Sequence, residues 1–255
     1  MGGDFTTAVA NPFPDAPILY REETASTMVE ARDLLLQGAL HGTVVVADYQ
    51  SHGQGRKADR TWVAPAGTAL LCTVILRQDV PLTALSLRTG LAVARVLHDG
   101  YRLEPTVKWP NDILLAARKV CGILCRQGAT WALVGIGLNV NQKEFPPEHP
   151  EATSLRLALG DSVDRAALLR AILRELRREL RRNDPIDRRL TAWLHGINRR
   201  VTVRSDNGTS IDGTLRGLTR RGALRIEVDG GEEREIYAGE LHVGEYYPDG
   251  ERDSV

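Results

Sequence analysis

The chain has 255 residues, 42% of them hydrophobic and 26% charged, which suits one sizeable core plus a small second domain and excludes a disordered or fibrous class. Lys plus Arg and Asp plus Glu both number 33, so the net charge of +0 gives no bulk field toward nucleic acid or anionic lipid, and any anion must be held by local groups. No apolar run has spanning length, and the start around Asp4, Asn11, Pro12 and Pro14 has no basic, apolar leader, so the chain reads as cytoplasmic and without a membrane partner.

Residues 1–17 are rich in Gly, Pro and Ala with no sustained period and read as a loose terminus. Thr27 and Glu30 form a T-x-x-E capping box, followed by Met28, Ala31, Leu34 and Leu35 at helical spacing until Gly38. Short apolar or β-branched runs then predict strands at Thr43 to Tyr49, Ala69 to Leu76, Thr106 to Lys108, Ile113 to Ala116, Val120 to Arg126 and Trp131 to Ile136. Helical spacing recurs over Thr83 to Leu97 and Val163 to Arg182. The second of these carries Arg170, Arg174, Arg177, Arg178, Arg181 and Arg182 interleaved with Glu175 and Glu179, the pattern of a solvated face. Phe145 to Pro150 is too proline-rich for regular structure and predicts an exposed loop. Beyond a boundary between Leu194 and Asn198 come the short strands Val201 to Arg204, Ser210 to Leu218, Ala223 to Val228 and Glu235 to Tyr237. Turns at Asp206-Asn207-Gly208, Arg221-Gly222 and Asp229-Gly230-Gly231 join them into a small barrel of about fifty residues.

Chemistry concentrates in a few strings. Gly53-Gln54-Gly55-Arg56 lacks Cβ atoms at two positions, which lets main-chain N–H groups approach an anion, and Arg56 adds a planar fork of donors. Lys108, in Lys108-Trp109-Pro110-Asn111-Asp112, ends an apolar run beside Val107 and Trp109, so low local dielectric strengthens its pull on an anion. Gly135 and Gly137 share one strand face with Asn139 and leave room for a flat ligand. Of the hydroxyls of Ser26 and Thr27, one serves as a cap and the other stays free for a ligand, while Gln50 offers both a donor and an acceptor. Cys72, Cys121 and Cys125 have apolar neighbours. Cys121 and Cys125 share a strand face, but no nearby His or third Cys completes a metal corner, so the reading is buried thiols and no protein-held metal centre.

In order, Ala25-Ser26-Thr27, Gln50, Gly53 to Arg56, Arg60-Thr61-Trp62, Pro65-Ala66-Gly67, Lys108 to Asp112, Lys119 to Leu124, Gly135 to Asn139 and Ala152 to Leu155 resemble the strings of biotin protein ligases, over roughly Ile18 to Val243. The resemblance implies an α+β fold: a mixed β-sheet catalytic domain with packed helices over 18–196, like class II aminoacyl-tRNA synthetases, and a small C-terminal SH3-like β-barrel over 197–248. It implies a two-step reaction, in which biotin and Mg-ATP give biotinyl-adenylate, and the biotinyl group then passes to a lysine of a carboxylase's biotin carboxyl carrier domain. The competing reading is a protein that binds biotin or its adenylate without transfer.

The family pattern places Ser26, Thr27, Met28, Gln50, Gly53, Gln54, Gly55, Arg56, Lys108, Gly122, Gly135 and Gly137 around biotin, and Arg60, Trp62, Asn111 and Asn139 on the ATP side. Lys108 and Arg56 are the catalytic cations that offset the repulsion of two anions, and loops 53–60 and 141–152 close over biotin and adenylate. The chain departs from the family at Gln54, where an arginine is common, at Met28, where asparagine is frequent, at Cys121, and in the spacing Lys57-Ala58-Asp59-Arg60. No paired amphipathic helices precede the first motif, which implies a ligase without a DNA partner. The residues do not decide between monomer and homodimer.

Overall fold

A computed structural model describes residues 5, 10–57, 60–77, 82–205 and 208–244 of the chain. Ala58, Asp59, the Asp206-Asn207 turn and the outer parts of both predicted terminal segments lie outside the described residues.

Seven strands form one mixed sheet: β1 (Ile18–Thr24), β2 (Val44–Gln50), β3 (Ala69–Leu76), β4 (Pro105–Lys108), β5 (Asp112–Leu115), β6 (Arg118–Gln127) and β7 (Ala132–Asn139). Their order is β1-β2-β3-β7-β6-β5-β4, with β1 and β2 parallel and every other neighbour antiparallel. The edge strand β1 escaped the sequence reading because its residues are mostly half-buried or exposed and show no clear alternation.

Helices α2 (Leu82–Tyr101) and α4 (Arg165–Leu180) cover one face of the sheet, and α1 (Thr27–Leu36) sits on the other; the short helices α3 (Leu155–Leu159) and α5 (Asp187–Leu190) lie in connections. Strand β3 buries both faces. Leu70, Cys72, Val74 and Leu76 join the core under α2 and α4, while Ile75 joins the one under α1. That explains its unbroken apolar run. Helix α4 starts on the carboxylate of Asp164, which accepts from Ala166 N and Ala167 N at 2.8 and 3.1 Å. Its arginine face is only partly solvated: Glu175 and Glu179 are buried, and Arg95, Arg178, Arg182 and Arg189 pair with them. Arg170, Arg174 and Arg181 are exposed as predicted.

Two expectations fail. Residues 10–17 are not loose: Phe13 is buried against Gly42, and Asn11 Nδ2 donates to Ala16 O and Gly42 O at 2.9 Å. The capping box is not made either. Ser26 takes the N-cap backbone position without a side-chain bond, and Glu30 turns instead to Arg21 at 2.6 Å.

The C-terminal strands β8 (Arg200–Arg204), β9 (Ser210–Leu218), β10 (Leu224–Glu227), β11 (Glu233–Ile236) and β12 (Glu240–Val243) form a separate antiparallel sheet in the order β11-β10-β9-β8-β12. The boundary near residue 196 is a change of sheet but not a break in the core. Leu87, Leu91 and Ala94 of α2, with Val107 and Trp109, share one apolar cluster with Val201, Leu215, Leu224 and Leu241. A shared apolar seam of this kind holds two units in one orientation.

Candidate functional site

A cleft opens on the α1 side of the large sheet. It gathers Ser26, Thr27, Met28, Gln50, Gln54, Gly55, Arg56, Trp62, Asn111, Gly122, Gly135 and Gly137, all drawn from separate sequence strings. Its polar end is a tied cluster: Gln50 Oε1 accepts from Thr27 N at 2.8 Å and from Thr27 Oγ1 at 2.9 Å, and Thr27 Oγ1 meets Thr73 Oγ1 at 2.9 Å. The Thr27 hydroxyl is therefore committed to the cleft and not to a helix cap. Thr73 is a site residue that sequence reasoning missed, although it is the only hydroxyl in the apolar run Ala69–Leu76.

The floor is a row of missing side chains. Gly137 pairs with Gly122, and Gly122 with Asp112, across neighbouring strands. The indole of Trp62 lies on this row: a Cβ at Gly137 would stand 2.7 Å from its Cε2, and one at Gly122 would stand 2.9 Å from its Cζ3. Met28 takes the space over Gly135 in the same way, its Cε 2.8 Å from a Cβ built there. Glycine is needed on this face because two large side chains already fill it.

Lys108 does not line this cleft. It pairs with Asp112 at the far end of the same cross-strand row, two strands beyond Gly122, which puts it roughly 10 Å off the glycine floor. Its charge is felt instead on the C-terminal side: burial, then the nearby Lys108 ammonium, holds His195 and His242 below the usual histidine range. The lysine of the cleft is Lys119. Its Nζ lies 2.9 Å from Asp112 Oδ1 and 5.8 Å from the Trp62 ring centroid.

The reason is a β-bulge. The register between β5 and β6 shifts at Ile113/Leu114, and the consecutive residues Val120 and Cys121 both bury in the helix-side core, which a regular strand does not permit. The extra residue turns Lys119 onto the cleft face beside Gly122. The backbone of Lys119 is clamped as well, since its N donates to Glu151 O at 2.6 Å and its O accepts from Thr153 N at 2.8 Å.

Two further expected residues lie outside the cleft lining. Asn139 lies outside the cleft lining, 5% exposed; its Nδ2 donates to Thr153 O at 3.1 Å and its Oδ1 accepts from Gln142 Nε2 at 2.9 Å, so it anchors loop 141–152. Gly53 is not in the lining either. It is glycine because a Cβ there would stand 2.3 Å from Trp62 O; a Cβ at Gly55 would stand 2.7 Å from Arg60 O. The loop folds on itself, with Trp62 N bonded to Gly53 O at 3.0 Å and Gly55 N to Arg60 O at 2.9 Å. The amide of Gly55 is thus engaged within the loop and not presented to an anion.

Arg60 belongs to a second, basic cleft, with Arg56, Lys57, Arg204 and His242 around Glu240. Glu240 Oε1 receives Arg56 and Lys57 at 3.3 Å and Arg60 at 3.5 Å. Burial pushes this carboxyl up, but the Lys57 hydrogen bond and the charges of Arg60, Lys57 and Arg56 outweigh it and hold the group below the usual range. Arg56 borders both clefts. The cysteines are free, and burial pushes Cys72 and Cys125 up to about 12 and Cys121 well above the ordinary thiol value, so none offers a thiolate at neutral pH. Among the described residues no group of three or more His, Cys, Asp or Glu could hold a metal ion, and no helix is long and apolar enough to cross a membrane.

A mixed sheet with a glycine-floored cleft beside a small antiparallel sheet defines a class. Residues 20–141 match the biotin/lipoate A/B protein ligase family and residues 196–242 match the biotin protein ligase C-terminal domain. The bifunctional ligase/repressor BirA of Bacillus subtilis is 34% identical over 243 residues, spanning 89% of this chain and 74% of that protein. The biotin--[acetyl-CoA-carboxylase] ligase of Mycobacterium tuberculosis is 33% identical over 223 residues, 82% of each. Among solved structures, the biotin protein ligase of Aquifex aeolicus in complex with biotin and ATP superposes with a TM-score of 0.80 at 27% identity, covering 90% of this chain and 99% of that one. The chain belongs to the biotin protein ligase family.

Proposed function

We infer that the chain is an ATP-dependent biotin protein ligase: the biotin carboxylate attacks the α-phosphate of ATP, pyrophosphate leaves, and a carrier lysine amine then attacks the acyl carbon and releases AMP. One observation carries the assignment of roles. A cation, Lys119, stands on the glycine floor at one end of a cleft whose other end is the tied Thr27–Gln50–Thr73 cluster. The polar cluster suits the ureido ring of biotin, and the carboxylate tail then lies toward Lys119. Lys119, with Arg56 at the rim, offsets the repulsion between that carboxylate and the α-phosphate.

The roles first expected of Lys108 pass to Lys119. Trp62 covers the reacting centre, and its indole N–H, buried without an acceptor among the described residues, is a donor available to a ligand. The basic cleft of Arg60, Lys57, Arg204 and His242 suits the polyphosphate. For Mg²⁺ the fit is that of a phosphate-borne ion. Asp112, already paired with Lys119, is a single carboxylate beside the cleft, and this cation commonly keeps its waters and takes substrate phosphates with one or two carboxylates. Its chemistry there is to neutralise phosphate charge. Residues 18–196 act as the catalytic domain and 197–248 as a small SH3-like β domain. The acceptor is a biotin carboxyl carrier domain, and the three free thiols, two of them buried, suit a reducing cytoplasm.

Incubation with biotin, Mg-ATP and a carrier domain yields acid-stable biotin on the carrier if this reading holds. Adenylate without transfer points instead to a biotin-binding protein.

A further inference from the structure

Trp109 does not touch the cleft, yet it lies two residues from Asn111, which does. It is 1% exposed and sits in the apolar seam between α2 and the C-terminal sheet. Its Nε1 donates to Gly222 O at 3.0 Å, across the boundary between the two sheets. The acceptor is held still. Gly222 has φ +88 and its N bonds Thr219 O at 3.0 Å, while Ala223 N bonds Thr219 Oγ1 at 3.1 Å. A Cβ at Gly222 would stand 2.9 Å from Leu87 Cδ1, so the turn is seated on α2.

The turn that follows Trp109, leading to the cleft, is in its own way fixed at each successive residue. Pro110 O accepts from Ser86 Oγ at 3.0 Å. Asn111 clasps β6, its O accepting from Ile123 N at 2.8 Å and its Nδ2 donating to Ile123 O at 3.0 Å. Asp112 then holds Lys119 at 2.9 Å. A continuous series of bonds thus runs from the C-terminal sheet to the cleft ammonium.

We propose that Trp109 is a positioning residue for adenylate formation: through its indole bond to the Gly222 carbonyl, the C-terminal sheet sets the 110–112 turn and with it the place of Lys119. The Thr27–Gln50–Thr73 cluster lies on other elements, so the binding of biotin's ring is independent of this tie. The proposal rests on the assignment of Lys119 to the reacting centre. The two fail separately, because undiminished activity in Lys119→Ala removes that assignment whatever Trp109→Phe does.

The test measures biotin-dependent ATP–pyrophosphate exchange in the full chain. Trp109→Phe keeps most of the bulk and removes the donor; kcat is expected to fall at least tenfold with the KM for biotin within twofold. Ser86→Ala, which loosens Pro110 with little change of volume, is expected to lower kcat threefold or more in the same pattern, and it decides the question if Trp109→Phe does not fold. Leu224→Ala weakens the same seam without touching the indole bond, and its kcat is expected to stay within twofold at temperatures where it is folded. An unchanged kcat in the folded Trp109→Phe, a rise in KM in place of the loss of kcat, or a Leu224→Ala enzyme as impaired as Trp109→Phe overturns the proposal.

Discussion

On its helix-covered face the large sheet presents Leu70, Cys72 and Val74 from β3 and Ile136 and Leu138 from β7, all at most 2% exposed. On the opposite face the same strands give Thr73, Gly135 and Gly137 to the cleft. One face is filled to close packing, and the other is hollowed by removing side chains and then covered by Met28 and Trp62. The same backbone therefore serves stability on one side and chemistry on the other. Mutations should divide accordingly, with helix-side changes read in the melting curve and cleft-side changes in the rate.

The largest effect expected on the cleft side is that of Lys119→Ala, which should lower pyrophosphate exchange by about 10³-fold. Lys108→Ala should stay within a few-fold; equal losses in the two would return the catalytic role to both. On the packed face, Leu97→Ala removes a fully buried side chain and should cost ~2–5 kcal/mol in denaturant unfolding, with exchange close to normal while the protein is folded. Gly137→Val should leave folding largely intact but displace Trp62 from the floor, for a loss of roughly 10²-fold in kcat/KM. A purely structural floor would show the reverse, a large fall in stability at normal rate.

The smallest effect is expected between the faces, where Glu240 ties the basic loop to the C-terminal sheet. Glu240→Gln should change the KM for ATP by no more than about fivefold, since a half-exposed ion pair contributes at most ~1 kcal/mol. Because the Glu240 carboxyl is held below its ordinary value of 4.5, the tie is fully present above that pH and is lost as the pH falls through the depressed value. Amide exchange in residues 53–57 and 60–62, followed from pH 6 to 3, should show protection falling in the natural chain and a flat profile in Glu240→Gln. Parallel profiles would mean that the loop is held by other bonds.

Most of the cleft was legible because the strings stand in the order seen in biotin protein ligases, whereas each string alone also fits a turn, a cap or close packing. Two glycines two residues apart in a strand, a hydroxyl pair before a helix, and a Gly-x-Gly-Arg turn each marked part of it, and twelve of the residues that the resemblance implied meet in one cleft. Gly53 and Asn139 lie outside it for a common reason, and Lys108 because the bulge between β5 and β6 brings Lys119 to the cleft instead. Residue type shows that a group can bind an anion or approach a backbone closely, but it does not say whether the protein's own atoms already occupy that capacity. Asn139 is engaged by Thr153 and Gln142, and Gly53 by the Trp62 carbonyl. Thr73 was missed because one hydroxyl in an apolar strand has no local partner to reveal it.

Periodicity and composition by themselves determined a sheet with helices packed on it, the two main helices, most strands and the change of texture near residue 196, since burial repeats at 3.6 or 2 residues wherever an element packs on a core. Which lysine faces the ligand was decided only in the folded sheet. Regular alternation from Cys121 and Ile123 assigns Lys119 to the packed face. A single bulged residue, specified by the pairing of β5 with β6 and by the burial of both Val120 and Cys121, turns it onto the other. Side-chain direction at a bulge depends on the partner strand, and the partner strand is a property of the tertiary structure.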